Sequence, residues 1–212
     1  MKPNTDVDHF CATYRAAMAS IPDPGVRTRV EDLLSDARKV ALLAEEEGSV
    51  RREQAAQELL ALACQSPAVC EGLVRIVDHW PRKSKWLALY SLATRVVGEL
   101  IVDEKLSPDL VTLAVRGMVE SWLCVSSSWR LGTSPIGEQI LDNHQIDWLR
   151  RHKPAVLLRE CYRRLCDDPE SYDHIDSLLD GSSEEEEAIM ATWLKSNHPA
   201  PKRLARELGC GT

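Results

Sequence analysis

Phenylalanine is almost absent from this chain: one Phe stands among 212 residues, beside six Trp and four Tyr. Val, Leu and Ala must therefore fill most of any core, and Leu and Ala interlocking at helical spacing suit helix-on-helix packing. No apolar run reaches the roughly 18 to 20 residues that a membrane-spanning helix needs, so no membrane partner is expected. The ten Gly are scattered, and neither GxGxxG nor GxxxxGK[ST] occurs, which removes the usual glycine-rich phosphate cradles. Seven Cys lie at 11, 64, 70, 124, 161, 166 and 210. No CxxC pair is among them, so a zinc knuckle is not expected. Neither a metal nor another cofactor is implied. Sustained two-residue alternation of branched or aromatic residues is also missing, which argues against a sheet. Cations are outnumbered, 26 Lys and Arg against 33 Asp and Glu, for a net charge of −7. A general grip on nucleic acid needs the opposite balance.

What is present is a near repeat. Glu58-Leu59-Leu60 followed by Ser66-Pro67 returns 41 residues later as Glu99-Leu100-Ile101 followed by Ser107-Pro108. With one residue of slip, Val77-Asp78-His79-Trp80 returns as Val119-Glu120-Ser121-Trp122. A weaker third echo is Lys153-Pro154-Ala155-Val156 against Ser66-Pro67-Ala68-Val69. A period near 40 in a helical sequence points to stacked helix pairs. This pattern resembles the HEAT/armadillo class of helical repeats over roughly residues 50–124, and more loosely over 150–180. The resemblance implies an all-α fold: a right-handed stack of antiparallel helix pairs, as a HEAT-like solenoid or an irregular helical bundle. It also implies a concave face that binds a peptide, protein or nucleic acid.

Apolar periodicity and punctuation predict helices over 5–20, 26–47, 50–64, 67–80, 83–102 and 108–124. Pro22-Asp23-Pro24-Gly25 reads as a turn, and Ser66-Pro67 and Ser107-Pro108 read as N-cap plus proline at the first helical position. Glu45-Glu46-Glu47 reads as the end of the second helix, where three acids oppose the macrodipole and Gly48 supplies a left-handed cap. The Ser-rich stretch 125–135 reads as a loop carrying Trp129 and Arg130. Helices over 135–142, 145–152, 153–167, 170–180, 184–196 and 201–208 complete the pattern. The expected domains are a helical-repeat domain over 1–181 and a C-terminal helical hairpin over 182–212. The last segment, Pro201 to Gly209 with Ile189 to Leu194 before it, resembles the first two helices of a helix-turn-helix. The recognition helix that would enter a DNA groove has no counterpart after Gly209.

The strongest local oddity is Trp80-Pro81-Arg82-Lys83-Ser84-Lys85-Trp86, where three cations lie between two Trp at a helix–helix turn. Trp and Arg supply large desolvated contacts, and the charges would draw an anionic partner. Trp80, Arg82, Lys85 and Trp86, with Trp129 and Arg130, are the expected partner-binding residues. The bland alternative folds both Trp into the core. A second basic cluster comprises Arg150, Arg151, Arg159, Arg163 and Arg164; Arg159 and Arg163 share a helical face. Arg150, Arg151, Arg159 and Arg163 are the candidates for contact with an anion or nucleic acid, against pairing with Glu160, Asp167 and Asp168. Asp142, His144 and Asp147 cluster, as do Glu170, Asp173 and His174, and could serve a metal-dependent hydrolase. Neither set matches a hydrolase motif.

The expected function is therefore that of a non-enzymatic interaction module, an adaptor or regulatory subunit whose partner is another protein. Nucleic-acid binding through the Arg cluster and a metal-dependent helical hydrolase are the alternatives. Met1 to Phe10 is polar and acidic, unlike a secretory leader, and the odd cysteine number suits reduced thiols buried as small hydrophobes, with Cys210 exposed. Both point to the cytoplasm.

Overall fold

In the computed structural model the described residues are 5–40, 45–79, 86–130 and 143–167. They form eight helices: α1 Thr5–Ala19, α2 Pro24–Val40, α3 Glu45–Gln65, α4 Pro67–Val77, α5 Leu87–Val102, α6 Pro108–Arg130, α7 Asn143–His152 and α8 Pro154–Asp167. No strand occurs among the described residues, so the fold is all-α. No helix among them is long and apolar enough to cross a membrane. The helices expected at 170–180, 184–196 and 201–208 lie outside the described residues, as does 135–142.

The chain divides into two compact units, Met1–Met118 with Glu138–Gln145, and Val119–Gly137 with Ile146–Thr212. In the first, α1 packs on α4, α2 lies against both α3 and α5, and α5 packs on α3 and α4. The equivalent repeat positions Leu59 and Leu100 are both fully buried. Burying a leucine stabilises by about 1.5–3 kcal/mol. The two Ser-Pro starts also behave alike. The Ser66 hydroxyl accepts from the Val69 amide at 3.4 Å and that of Ser107 from the Leu110 amide at 3.5 Å, each offering a partner to one of the orphan donors at a helix start.

α5 ends in a Schellman motif. The Lys105 amide donates to the Leu100 carbonyl at 2.9 Å and the Glu104 amide to that of Ile101 at 3.0 Å. Glu104 holds the left-handed position, φ 55°, which glycine usually fills. Farther along, Gln145 is buried with its amide nitrogen donating to the Arg95 carbonyl at 3.2 Å and to Glu99 at 2.9 Å. Gly98 makes room for that amide, since a Cβ there would collide with it.

Two expected boundaries are corrected. Glu45, Glu46 and Glu47 open α3 rather than close α2. Acids at a helix N-terminus complement the macrodipole, whereas at the C-terminus they oppose it. Gly48 accordingly sits inside α3 and is buried. The expected loop from 125 begins no earlier than residue 131, because α6 continues through Arg130. Serine is only a mildly poor helix former, and no proline or glycine interrupts the run before Gly132. Of the described cysteines, Cys70 and Cys161 are buried, Cys11 is half-buried and Cys64 is exposed.

In the second unit, Leu149 of α7 and Leu157, Leu158 and Cys161 of α8 are buried. Glu120 of α6 receives Arg163 at 3.7 Å and Arg164 at 3.2 Å.

Candidate functional site

The segment from Trp80 to Trp86, read as a turn from the sequence, joins α4 to α5, and the structure fixes both flanks. A helix ends with four carbonyls that lack intrahelical donors. In α4 these belong to Val74, Arg75, Ile76 and Val77, and each finds a partner. The Asp78 amide donates to Val74 at 2.9 Å and the His79 amide to Ile76 at 3.2 Å. The His79 ring bonds the Arg75 carbonyl through Nδ1 at 3.1 Å. The Tyr90 hydroxyl, from α5, donates to Val77 at 2.8 Å. A carbonyl only accepts, so Nδ1 of His79 carries the proton and, in the neutral ring, Nε2 keeps its lone pair.

The same hydroxyl lies 3.0 Å from the Gly117 carbonyl of α6, so one buried proton is shared between α4 and α6. Gly117 permits this approach. A Cβ at 117 would strike the Val77 carbonyl, which is backbone and cannot swing away. Beside it, Arg116 grips Asp78 with both arms of its guanidinium, Nε to Oδ1 at 2.6 Å and Nη2 to Oδ2. The Asp78 side chain is only 8% exposed, so this is a partly buried, bidentate pair rather than a surface contact.

On the other flank, Trp86 stands at the N-cap of α5. Its ring lies 5.6 Å from that of Phe10 and 6.2 Å from that of Tyr14, both on α1. Burial, with the charge of Glu31 adding, pushes the Tyr14 phenol up to about 12. Trp86 therefore faces a cluster within its own unit. Trp80, Arg82 and Lys85 lie outside the described residues. Trp129 and Arg130 belong to the last turn of α6, not to a loop.

Among the second set of candidates, Arg151 and Arg159 are exposed and Arg150 is half-buried. Arg163 bonds Glu160 at 2.8 Å as well as reaching Glu120. Arg150, Arg151 and His152 form the last turn of α7, where positive charge complements the helix dipole. Burial pushes the Cys161 thiol far up, with Glu160 adding and Arg150 opposing. Asp142, Glu170, Asp173 and His174 lie outside the described residues, and only the backbones of His144 and Asp147 are described. Among the described residues no three His, Cys, Asp or Glu side chains gather into a group that could hold a metal ion.

One juxtaposition had no signal in the sequence. The ring of His9, on α1, lies 5.0 Å from that of His79, tilted by 53°. Residues so far apart carry no motif spacing, and only the packing of α1 on α4 brings them together. Tyr90 is equally silent, since one tyrosine within the helix expected over 83–102 carries no motif.

No protein-family model, curated protein or solved structure matches this chain.

Proposed function

We propose that this chain is a non-catalytic helical interaction module, an adaptor or regulatory subunit, which docks an acidic segment of a partner protein on the 80–86 turn. The observation that carries the reading is the pinning of both flanks. Residues 77–79 are tied to α5 and α6 through Tyr90, Gly117 and Arg116. Trp86 is packed on Phe10 and Tyr14. Between them the sequence places Trp80, Arg82, Lys83 and Lys85. Fixed flanks lower the entropy lost when a turn is ordered against a partner. A tight group of cations speeds encounter with an acidic surface and sets its register. The alike Ser66 and Ser107 starts and the alike burial of Leu59 and Leu100 support a repeated helix-pair ancestry. The reach of α2 to both α3 and α5 favours an irregular bundle over an open stack.

The test is affinity capture from host lysate with and without nuclease, using the wild-type chain and an Arg82→Glu/Lys85→Glu double variant. A stoichiometric protein partner that survives nuclease and is lost from the double variant, with helical circular dichroism unchanged, is the expected result. Equal capture by the double variant would remove the turn as the site. Recovery of nucleic acid alone would overturn the reading and move attention to Arg150, Arg151 and Arg159.

A further inference from the structure

We propose that His9 and His79 together bind one divalent transition-metal ion of the Zn²⁺, Cu²⁺ or Ni²⁺ class, closing α1 onto the C-terminal end of α4. The spacing of the rings is the first support. With a metal–nitrogen bond of about 2.0–2.1 Å, roughly 1.1 Å from nitrogen to ring centre and ligand angles of about 90–110°, two neighbouring imidazole ligands have centres about 4.5–5.3 Å apart. The observed separation is 5.0 Å, and the 53° tilt is not that of stacked rings.

Preparation of His79 is the second support. Its Nδ1–H is committed to the Arg75 carbonyl, as metal-bound histidines commonly commit their other nitrogen. That bond orients the ring and leaves Nε2 as the ligand atom. A carboxylate oxygen of Asp78, which also pairs with Arg116, lies 3.9 Å from Nδ1. The nearby Arg75 cation is drawn off by Glu71 at 2.5 Å. His9 is exposed and His79 one-third exposed, so an ion can enter from solvent.

A comparison within the chain isolates what matters. His152 makes the same kind of bond, Nδ1 to the Trp148 carbonyl at 3.0 Å, but its ring stacks on Trp148 and meets no second imidazole among the described residues. The backbone bond alone makes no site; the crossing of α1 and α4 does. Nitrogen ligands select borderline ions over Mg²⁺ or Ca²⁺. Two protein ligands leave the other positions to water, an open site rather than a closed structural one.

The experiment is calorimetric titration of the full chain, stripped with chelator, with ZnCl₂, alongside thermal melts in the presence and absence of the ion. Expected are one equivalent in the tightest class of site and a higher melting temperature with Zn²⁺, since the ion binds only the folded pairing. His9→Ala, and His9→Gln as a second variant, should each weaken that site at least tenfold and abolish the melting shift. Their circular dichroism should be unchanged, because His9 is exposed. His9→Ala/His79→Ala should bind no more weakly than the worse single variant, as both residues serve one ion. His152→Ala should bind as wild type. No Zn²⁺ binding by the wild-type chain, or unchanged affinity in both His9 variants, overturns the proposal.

Discussion

Replacing Tyr90 with Phe removes one oxygen and leaves the ring in place. The lost proton serves the Val77 carbonyl at 2.8 Å and lies 3.0 Å from that of Gly117. Gly117 lies within α6, where the next turn supplies its usual donor. Val77 is the last residue of α4, so the hydroxyl stands in for a helical amide that does not exist. Tyr90 is fully buried, and water does not replace it without repacking. A hydrogen bond of this kind is worth about 1 kcal/mol net, and a stranded buried carbonyl costs a further 1–3 kcal/mol or so. A destabilisation of about 2–4 kcal/mol is expected. For a chain of this size that corresponds to a fall in melting temperature of roughly 4–16 °C. Urea unfolding followed by circular dichroism should show a lower midpoint with an unchanged slope, meaning altered stability rather than altered compactness. Gly117→Ala should act on the same contact through a steric clash costing about 1–3 kcal/mol. Because both changes open one junction, their sum should exceed the effect of the double variant. A Tyr90→Phe protein within about 0.5 kcal/mol of wild type, the range of a neutral surface change, would refute the accounting of the α4 carbonyls.

Three further outcomes are expected. Glu104→Gly should raise stability by up to about 1 kcal/mol in the same urea assay, because a side chain in the left-handed region is strained and glycine is not; a loss of stability would mean that the contacts of Glu104 outweigh the strain. Under native conditions Cys64 should react with an aromatic disulfide reagent fastest among the described thiols, while Cys70 and Cys161, whose thiols are pushed up by burial, should react only as the fold opens; equal rates would contradict the packing. Hydrogen bonding from Arg95 holds Glu53 below the ordinary carboxylate range, and Arg29 does the same for Glu58. A depressed folded value gives stability that is present above the unfolded pKa and is lost as pH falls through the folded one. The urea midpoint should therefore decline below about pH 4.5. Glu53→Gln and Glu58→Gln should each flatten that decline slightly, both carboxylates being exposed enough for solvent to screen them. An identical acid limb in all three proteins would show that the pairs do not matter.

Local chemistry was legible where a single residue type decides it. Ser66-Pro67 and Ser107-Pro108 open helices because serine's hydroxyl can cap and proline has no amide to waste at the first position. The ends without such punctuation were misread. Glu45 to Glu47 can close one helix or open the next, and composition alone does not choose; the start of α3 at Glu45 does, and the dipole agrees. Ser126 to Ser128 looks like a loop by polarity, yet each serine forfeits only a fraction of a kcal/mol of helix propensity, too little to end α6. The site was less legible than the fold. Arg163 and Arg164 read as available cations, but Glu120, on a different helix, takes up both. Such pairings depend on which faces meet, and the sequence states only what each face carries.

The end of α4 ties these threads together physically. His79 spends one nitrogen on the Arg75 carbonyl, its ring centre lies 5.0 Å from that of His9, and the next residue in the chain is Trp80. An ion held by His9 and His79 would therefore anchor the entry to the basic turn at a further point, on α1, in addition to those supplied by Tyr90 and Arg116. Trp86, on the exit side, already leans on the same helix through Phe10 and Tyr14. Both flanks would then be referenced to α1. An ion that tied the flanks down further would lower the entropy lost when a partner docks between them. By linkage, an ion that strengthened partner binding by some factor would itself be bound more tightly, by that same factor, in the complex. If instead the ion's charge repelled a second cation needed at the interface, the coupling would reverse in sign for both. The proposed ion ligand His79 and the proposed docking segment from Trp80 are adjacent in the chain, so coupling between the two is the expected outcome.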